Sequence, residues 1–180
     1  MSKMFDRIED THRTFIEAQP IFFVATNADG GRINLSPKGQ DSLRVLGEDR
    51  ILWMNLTGSG NETAPHLRDD PRMTLMWCSF GKRPMIMRAY GTARAVHPGD
   101  ADWAEMSGHF APDPAMRQVF EMAVTSLQTS CGYAVPMAEA MTRRDTLAKW
   151  AEDRGPDGIR DYWRTRNTTT IDGKPTGITS

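Results

Sequence analysis

Little in this chain points to a metal, a disulfide framework or a membrane. Only two cysteines occur in 180 residues. Cys78 and Cys131 lie far apart and form no CxxC pair, so they read as two reduced cytosolic thiols. The four histidines, His12, His66, His97 and His109, fall one to an element without H-x-x-x-H spacing, which argues against a zinc site. Charge of one sign is missing as well. The formal net charge is −1, with acids and bases interspersed, so no global field favours nucleic acid or an anionic membrane. No apolar run approaches the roughly 18 residues of a membrane span. Met1–Glu17 is polar and has no apolar h-region, so no signal peptide is expected. Internal repeats and low-complexity stretches are absent.

What is present suits one domain, residues 1–180, with a real core. Twelve methionines and five tryptophans supply large, soft side chains, fit for an adaptable core or a flat aromatic ligand. Phe5, Ile8, His12, Phe15 and Ile16 recur at helical spacing, predicting a helix over about 5–19. Strands follow at Ile21–Thr26 and Arg32–Ser36, joined by an Asp29-Gly30 hairpin signal and closed by Pro37-Lys38-Gly39. Further strands are predicted at Arg50–Leu56, Arg72–Phe80, Met85–Val96 and Val119–Leu127. Short helices are expected at Thr63–Arg68 and Asp102–His109. From about 142 to 166 the period changes to that of two helices meeting near Gly155, followed by a polar tail. Six short strands with tight turns and helices mostly at the ends argue for an antiparallel barrel with peripheral helices, a mainly β, α+β architecture.

One stretch carries chemistry. The apolar run Ile51–Leu56 breaks into Thr57-Gly58-Ser59-Gly60-Asn61, and a short helix begins at Thr63, capped by Thr63 or Asn61, with Pro65 in its first turn. A strand, a glycine-rich loop and a helix start gather unpaired backbone N–H groups, and a phosphate fits there. The alternative is an ordinary strand–helix connection whose glycines only make turns. Hairpin-linked strands on either side speak against a doubly wound dinucleotide fold.

The chain resembles the pyridoxamine 5′-phosphate oxidase-like family of FMN-binding split barrels. The resemblance rests on Asn34-Leu35-Ser36-Pro37-Lys38-Gly39, Leu56-Thr57-Gly58-Ser59-Gly60-Asn61-Glu62-Thr63, Gln128-Thr129-Ser130-Cys131-Gly132-Tyr133 and Ile171-Asp172-Gly173, in that order. It implies a six-stranded antiparallel split β-barrel, a homodimer, and FMN held at the seam between subunits. Matching the motifs position by position, it implies cofactor contacts from Asn34, Ser36, Lys38, Trp53, Asn55, Thr57, Gly58, Ser59, Gly60, Asn61, Thr63, Gln128 and Ser130. Lys38 would sit near the flavin N1/O2 edge or the phosphate, and Gln128 and Ser130 would reach in from the last strand.

Two departures stand out. The oxidase's adjacent arginine and lysine for the phosphate are replaced by Ser59-Gly60-Asn61-Glu62-Thr63. That removes charge-assisted bonds to a group of roughly −1.5 to −2 charges, so backbone amides, Ser59, Asn61, Thr63 and either Arg32 or Lys38 must compensate. Glu62 has the wrong sign and is expected to point away or to bond its own helix turn. Ala151–Asn167 shows no match to the segment that reads the pyridoxal substrate, so vitamin B6 oxidation is not expected. Met54 stands where a threonine is usual.

Other residues read blandly. Cys131 is structural or cofactor-facing, Tyr133 packs on the flavin or fills core, His66 faces solvent, and Asp69-Asp70 is a solvated turn. The resulting expectation is a cytoplasmic FMN oxidoreductase, moving electrons from a reduced donor to a small acceptor. The alternative is a non-catalytic protein that binds or senses a flavin, haem or deazaflavin.

Overall fold

The computed structural model describes residues 2–178. In chain order the elements are β1 (Lys3–Phe5), α1 (Asp10–Glu17), β2 (Phe22–Thr26), β3 (Asn34–Lys38), β4 (Leu43–Leu46), β5 (Arg50–Leu56), α2 (Thr63–Asp69), β6 (Arg72–Cys78), β7 (Ile86–Val96), α3 (Trp103–Ser107), β8 (Met116–Ser130) and α4 (Thr146–Arg166). The sheet runs β3-β2-β6-β7-β8-β5-β4, with β1 on the far half of β8. All pairings are antiparallel.

Chain length forces this sheet to curl. β3 and β4 lie at opposite ends of the path, six strand spacings apart, roughly 29 Å if the sheet were flat. Yet Lys38 and Leu43 are joined by residues 39–42 alone, which reach at most roughly 17 Å. The sheet therefore rolls up and brings its two edges together across a split. This is the antiparallel barrel the strand pattern predicts and the split form the family resemblance implies, with eight strands among the described residues where six were expected.

The two additional strands are short. β4 has four residues on β5, Leu43 opposite Trp53 and Leu46 opposite Arg50, too few to show a period. β1 takes residues expected to be helical. The helix starts only at Asp10, where a reciprocal capping box joins Glu9 and His12. Ahead of it, Phe5 packs edge-on against His12, with ring centroids 4.3 Å apart. β3 also runs through Pro37 to Lys38, where the sequence predicts termination. β3 is an edge strand, so one side needs no ladder hydrogen bonds and proline is tolerated. β8 starts three residues earlier than expected and ends three later. The two predicted C-terminal helices form one run, broken at Gly155 (φ 65°) beside Pro156.

β5 is buried on both faces. Ile51 and Trp53 join Val24, Leu75, Trp77, Met87, Phe120 and Leu127 inside the barrel. Leu52 and Met54 face the other way, onto Val96, Met106 and Phe110. Met54 is thus a packing residue. Trp53 stacks on Phe120 with centroids 4.4 Å apart, so truncating it would cost about 3–5 kcal/mol. A third cluster seats α4 through Ala151 and Ile159 on Ala115.

Candidate functional site

At the split, one face of β3 meets the end of β5. Alternation along β3 leaves Asn34, Ser36 and Lys38 half-buried while Leu35 and Pro37 point out. Those three residues, Asn55, Leu56, residues 58–63 and Arg117 line a cavity of about 220 Å³. Nine expected contacts therefore share one concavity: Asn34, Ser36, Lys38, Asn55, Gly58, Ser59, Gly60, Asn61 and Thr63.

The loop is turned so that its carbonyls are occupied. Asn167 Nδ2 donates to Gly58 O at 3.0 Å and Ser59 O at 3.4 Å. Arg117 donates to Gly60 O at 3.0 Å and to Asn167 Oδ1 at 2.7 Å. The main-chain N–H groups of Gly58, Ser59, Gly60 and Asn61 meet no backbone acceptor among the described residues. Bound carbonyls beside free N–H groups make a concavity suited to an anion.

The cations are equally unmatched. Arg117 is only 2% exposed, and among the described residues no carboxylate pairs with it or with Lys38. Burial lowers Arg117 to about 10. Burial first, and the Arg117 charge second, lower Lys38 to about 8. Lys38 is held over the Trp53 ring, its Nζ 5.4 Å from the centroid. Arg117 Nε and Asn61 Nδ2 are buried without a hydrogen-bond partner, a state that normally requires a ligand or water.

Four expected contacts lie elsewhere. Trp53 belongs to the barrel core and reaches the site only through Lys38. Thr57 is buried structure: its hydroxyl donates to Ala115 O at 2.9 Å and accepts from Trp163 Nε1 at 2.8 Å. Gln128 accepts from Tyr90 at 3.1 Å, and Ser130 pairs with Ile86. Both sit on the far half of β8, ten or more residues from Gln118, roughly 30 Å along the strand.

Other expectations need correcting. Neither Thr63 nor Asn61 caps α2. Glu62 occupies that place without a side-chain cap bond. Thr63 Oγ1 instead accepts from Asn34 Nδ2 at 3.1 Å. The Glu62 carboxylate accepts the Ile171 N–H, so it is engaged by the tail. Arg32 pairs with Asp172 of the tail and does not compensate for the missing phosphate ligands. His66 is 1% exposed and sits behind the site, its Nδ1 3.3 Å from Thr26 Oγ1. Tyr133 is exposed and fills no core. Among the described residues, no three metal-binding side chains gather.

Arg117 and Asn167 are the residues sequence reasoning missed. Starting β8 at Val119 left Arg117 in a loop. A basic residue beside an apolar alternating strand was visible, but that pattern does not separate a cavity-facing arginine from a solvent-facing one. Asn167 carried no signal beyond its place after a helix.

Residues 8–131 match the sequence profile described as pyridoxamine 5′-phosphate oxidase. A pyridoxamine 5′-phosphate oxidase family protein of Aspergillus flavus, ustO, is 32% identical over 97% of this chain and 78% of its own length. The chain belongs to this family. Among solved structures, a HupZ variant from group A Streptococcus matches at 21% identity, with a TM-score of 0.52 over 68% of this chain and 99% of its own. A candidate pyridoxamine 5′-phosphate oxidase from Lactobacillus delbrueckii matches at 14% identity and a TM-score of 0.54, over 68% and 94%. At these identities the structural matches bear on the fold, the same split barrel.

Proposed function

We propose that this family member is an FMN-binding oxidoreductase, with the phosphate of the cofactor in the cavity between β3 and the loop 58–61. One observation carries the reading: Lys38 and Arg117, neither paired with an acid, converge on a loop whose carbonyls at 58–60 are tied and whose N–H groups are free. Asn61 Nδ2 and Arg117 Nε are the orphaned donors such an anion would satisfy. α2 has only seven residues, so its dipole is a minor contribution beside these groups. FMN, once bound, supplies hydride and electron transfer between a reduced donor and a small acceptor.

The chain's own residues bind and orient. Arg117 and the loop amides grip the phosphate, while Asn34 and Ser36 offer hydrogen bonds along β3. Lys38, at the far end of that face, brings positive charge to the flavin edge or the phosphate. At about 220 Å³ the cavity is smaller than the roughly 300 Å³ typical of a drug-sized ligand site. The flavin ring therefore extends beyond it, and a homodimer is proposed whose second copy covers the ring. Ile33 and Leu35, 76% and 65% exposed on and beside β3, suit such a contact. A second copy is also the way Gln128 and Ser130 could approach the cofactor. Vitamin B6 oxidation is not proposed, because the C-terminal segment is committed elsewhere: Trp163 and Asn167 hold the loop. Two free cysteines suit a reducing compartment, and the cytoplasm is the proposed location.

A second reading keeps the flavin without turnover. Its support is that Lys38 is the one cavity residue positioned to exchange a proton, Glu62 being engaged by the tail. A deazaflavin phosphate would suit the same cradle. Haem is less well served, since no histidine lines the cavity.

Titrating the purified protein with FMN, followed by visible absorbance and flavin fluorescence, tests the cradle. Saturable binding is expected, and a protein that acquires no flavin spectrum removes the reading. Stopped-flow mixing of the loaded protein with NADH, NADPH and reduced deazaflavin then separates an enzyme from a binder. Rapid bleaching of the flavin by any donor marks an enzyme.

A further inference from the structure

A chain of buried amides runs from the candidate site to His97, the residue after β7. Gln118 Nε2 lies 3.4 Å from His97 Nδ1. Gln118 Oε1 accepts from Asn55 Nδ2 at 2.8 Å. Asn55 Nδ2 also reaches Asn61 Oδ1 at 3.3 Å. Asn61 lines the cavity, and its Nδ2 is the orphaned donor. Gln118, Asn55 and Asn61 are all almost fully buried.

Each amide has one donating and one accepting end, so the sense of one link dictates the next. In the sense just described, Asn61 offers N–H groups to the cavity. With all three amides reversed, Asn55 Oδ1 accepts from both neighbours and Asn61 offers its carbonyl oxygen. Both senses satisfy the interior of the chain. They differ at the two ends: what Asn61 presents to a ligand, and what Gln118 presents to His97. An unprotonated Nδ1 accepts and selects the first sense; an Nδ1–H donates and selects the second.

We propose that Gln118 and Asn55 are positioning residues that make Asn61 a hydrogen-bond donor into the cavity, and that His97 sets the sense of the whole chain. A neutral His97 carrying its proton on Nε2 gives a site that welcomes an anion; a protonated His97, with Nδ1–H donating, turns the Asn61 carbonyl toward it and weakens anion binding. The role of the anion rests on the flavin phosphate reading above; the coupling of His97 to Asn61 does not. Three influences act on the ring. Burial holds its pKa below the ordinary value, Asp100 opposes this, and Arg68 of α2 reinforces it. Asp100 also accepts the His97 main-chain N–H, at 2.8 Å. The ring is therefore neutral at pH 7, and with its proton on Nε2 the bare Nδ1 accepts from Gln118, so the chain stands in its donor sense.

The first test needs no cofactor. NMR of the isotope-labelled, ligand-free protein follows the His97 ring and the side-chain amides of Gln118, Asn55 and Asn61 from pH 7.5 to 5. The amides are expected to move together with the His97 midpoint and to lose that dependence in His97→Gln. In Gln118→Met, His97 should still titrate while Asn61 no longer follows. Amides that ignore the His97 midpoint, or that shift equally in His97→Gln, overturn the proposal. The second test compares FMN affinity at pH 7 and pH 5.5 in the native protein and in His97→Gln. The phosphate's own protonation is common to both and cancels. The native protein should lose roughly tenfold more affinity than the variant, the scale of one charge-assisted hydrogen bond; equal losses overturn the ligand-directed half. If neither protein binds FMN, the flavin reading and that half fall together, while the amide coupling is still decided by the first test.

Discussion

Lys38 carries a charge that the fold disfavours. Its folded pKa of about 8 lies below the ordinary 10.5. Between those values the unfolded chain holds a proton that the folded chain does not, so the unliganded protein gains stability as pH rises from about 8 toward about 10.5. Thermal melts of the ligand-free protein should show that rise, and Lys38→Met should abolish the part of it that lies between about pH 8 and the onset of Arg117 titration near 10. An anion in the cavity reverses the preference. FMN affinity should therefore fall as pH rises through about 8 in the native protein and stay flat in Lys38→Met. Arg117, lowered only to about 10, keeps its charge as pH rises through about 8. Arg117→Met should weaken FMN binding by about 1.5–3 kcal/mol, the worth of hydrogen bonds to a charged group, read by fluorescence titration. Arg117→Lys should not rescue it, because an ammonium cannot reproduce the fork to Asn167 and Gly60. Of these two cations the sequence disclosed only Lys38, through its place in a motif at the end of an alternating strand. Arg117 stayed hidden because nothing local distinguishes a strand arginine that faces a cavity from one that faces water.

Among the elements, β8 and the tail matter most. β7 and β8 slip register between Tyr90 and Gly91, and a Cβ on Gly91 would stand 2.0 Å from the Ala123 carbonyl oxygen. Gly91→Ala should destabilise by more than about 3 kcal/mol or prevent folding, the range of severe overpacking, as measured by urea denaturation. The tail is a clasp. Asn167 holds the loop carbonyls, Asp172 meets Arg32, Lys174 meets Asp69, and Ile171 N–H meets Glu62. Asn167→Ala should leave buried carbonyls and Arg117 short of a partner, with a loss of about 1–3 kcal/mol in stability. Hydrogen exchange at residues 58–61 should accelerate, and FMN affinity should fall with it. The long strands were legible because sustained apolar runs or alternation, bounded by turn residues, are strong signals. β4 and β1 were not, since three or four residues take their conformation from the strand they join.

The whole molecule is a rolled sheet whose open seam holds the candidate site. If a second copy covers that seam, light scattering should return twice the chain mass. Leu35→Asp should then give a monomer that folds yet binds FMN more weakly, with unchanged circular dichroism confirming the fold.

What the sequence alone determined was local: the antiparallel strands, the turn at Gly30, the break at Gly155, and a glycine-rich loop after a buried strand. These follow from steric preferences and burial periods that act over a few neighbouring residues. Tertiary structure decided the rest. Arg117 and Asn167 are 50 positions apart, and Asn167 and Gly58 are 109. Only when the sheet closed and α4 packed on Ala115 did they meet, and only then did burial leave two cations without an acid beside them.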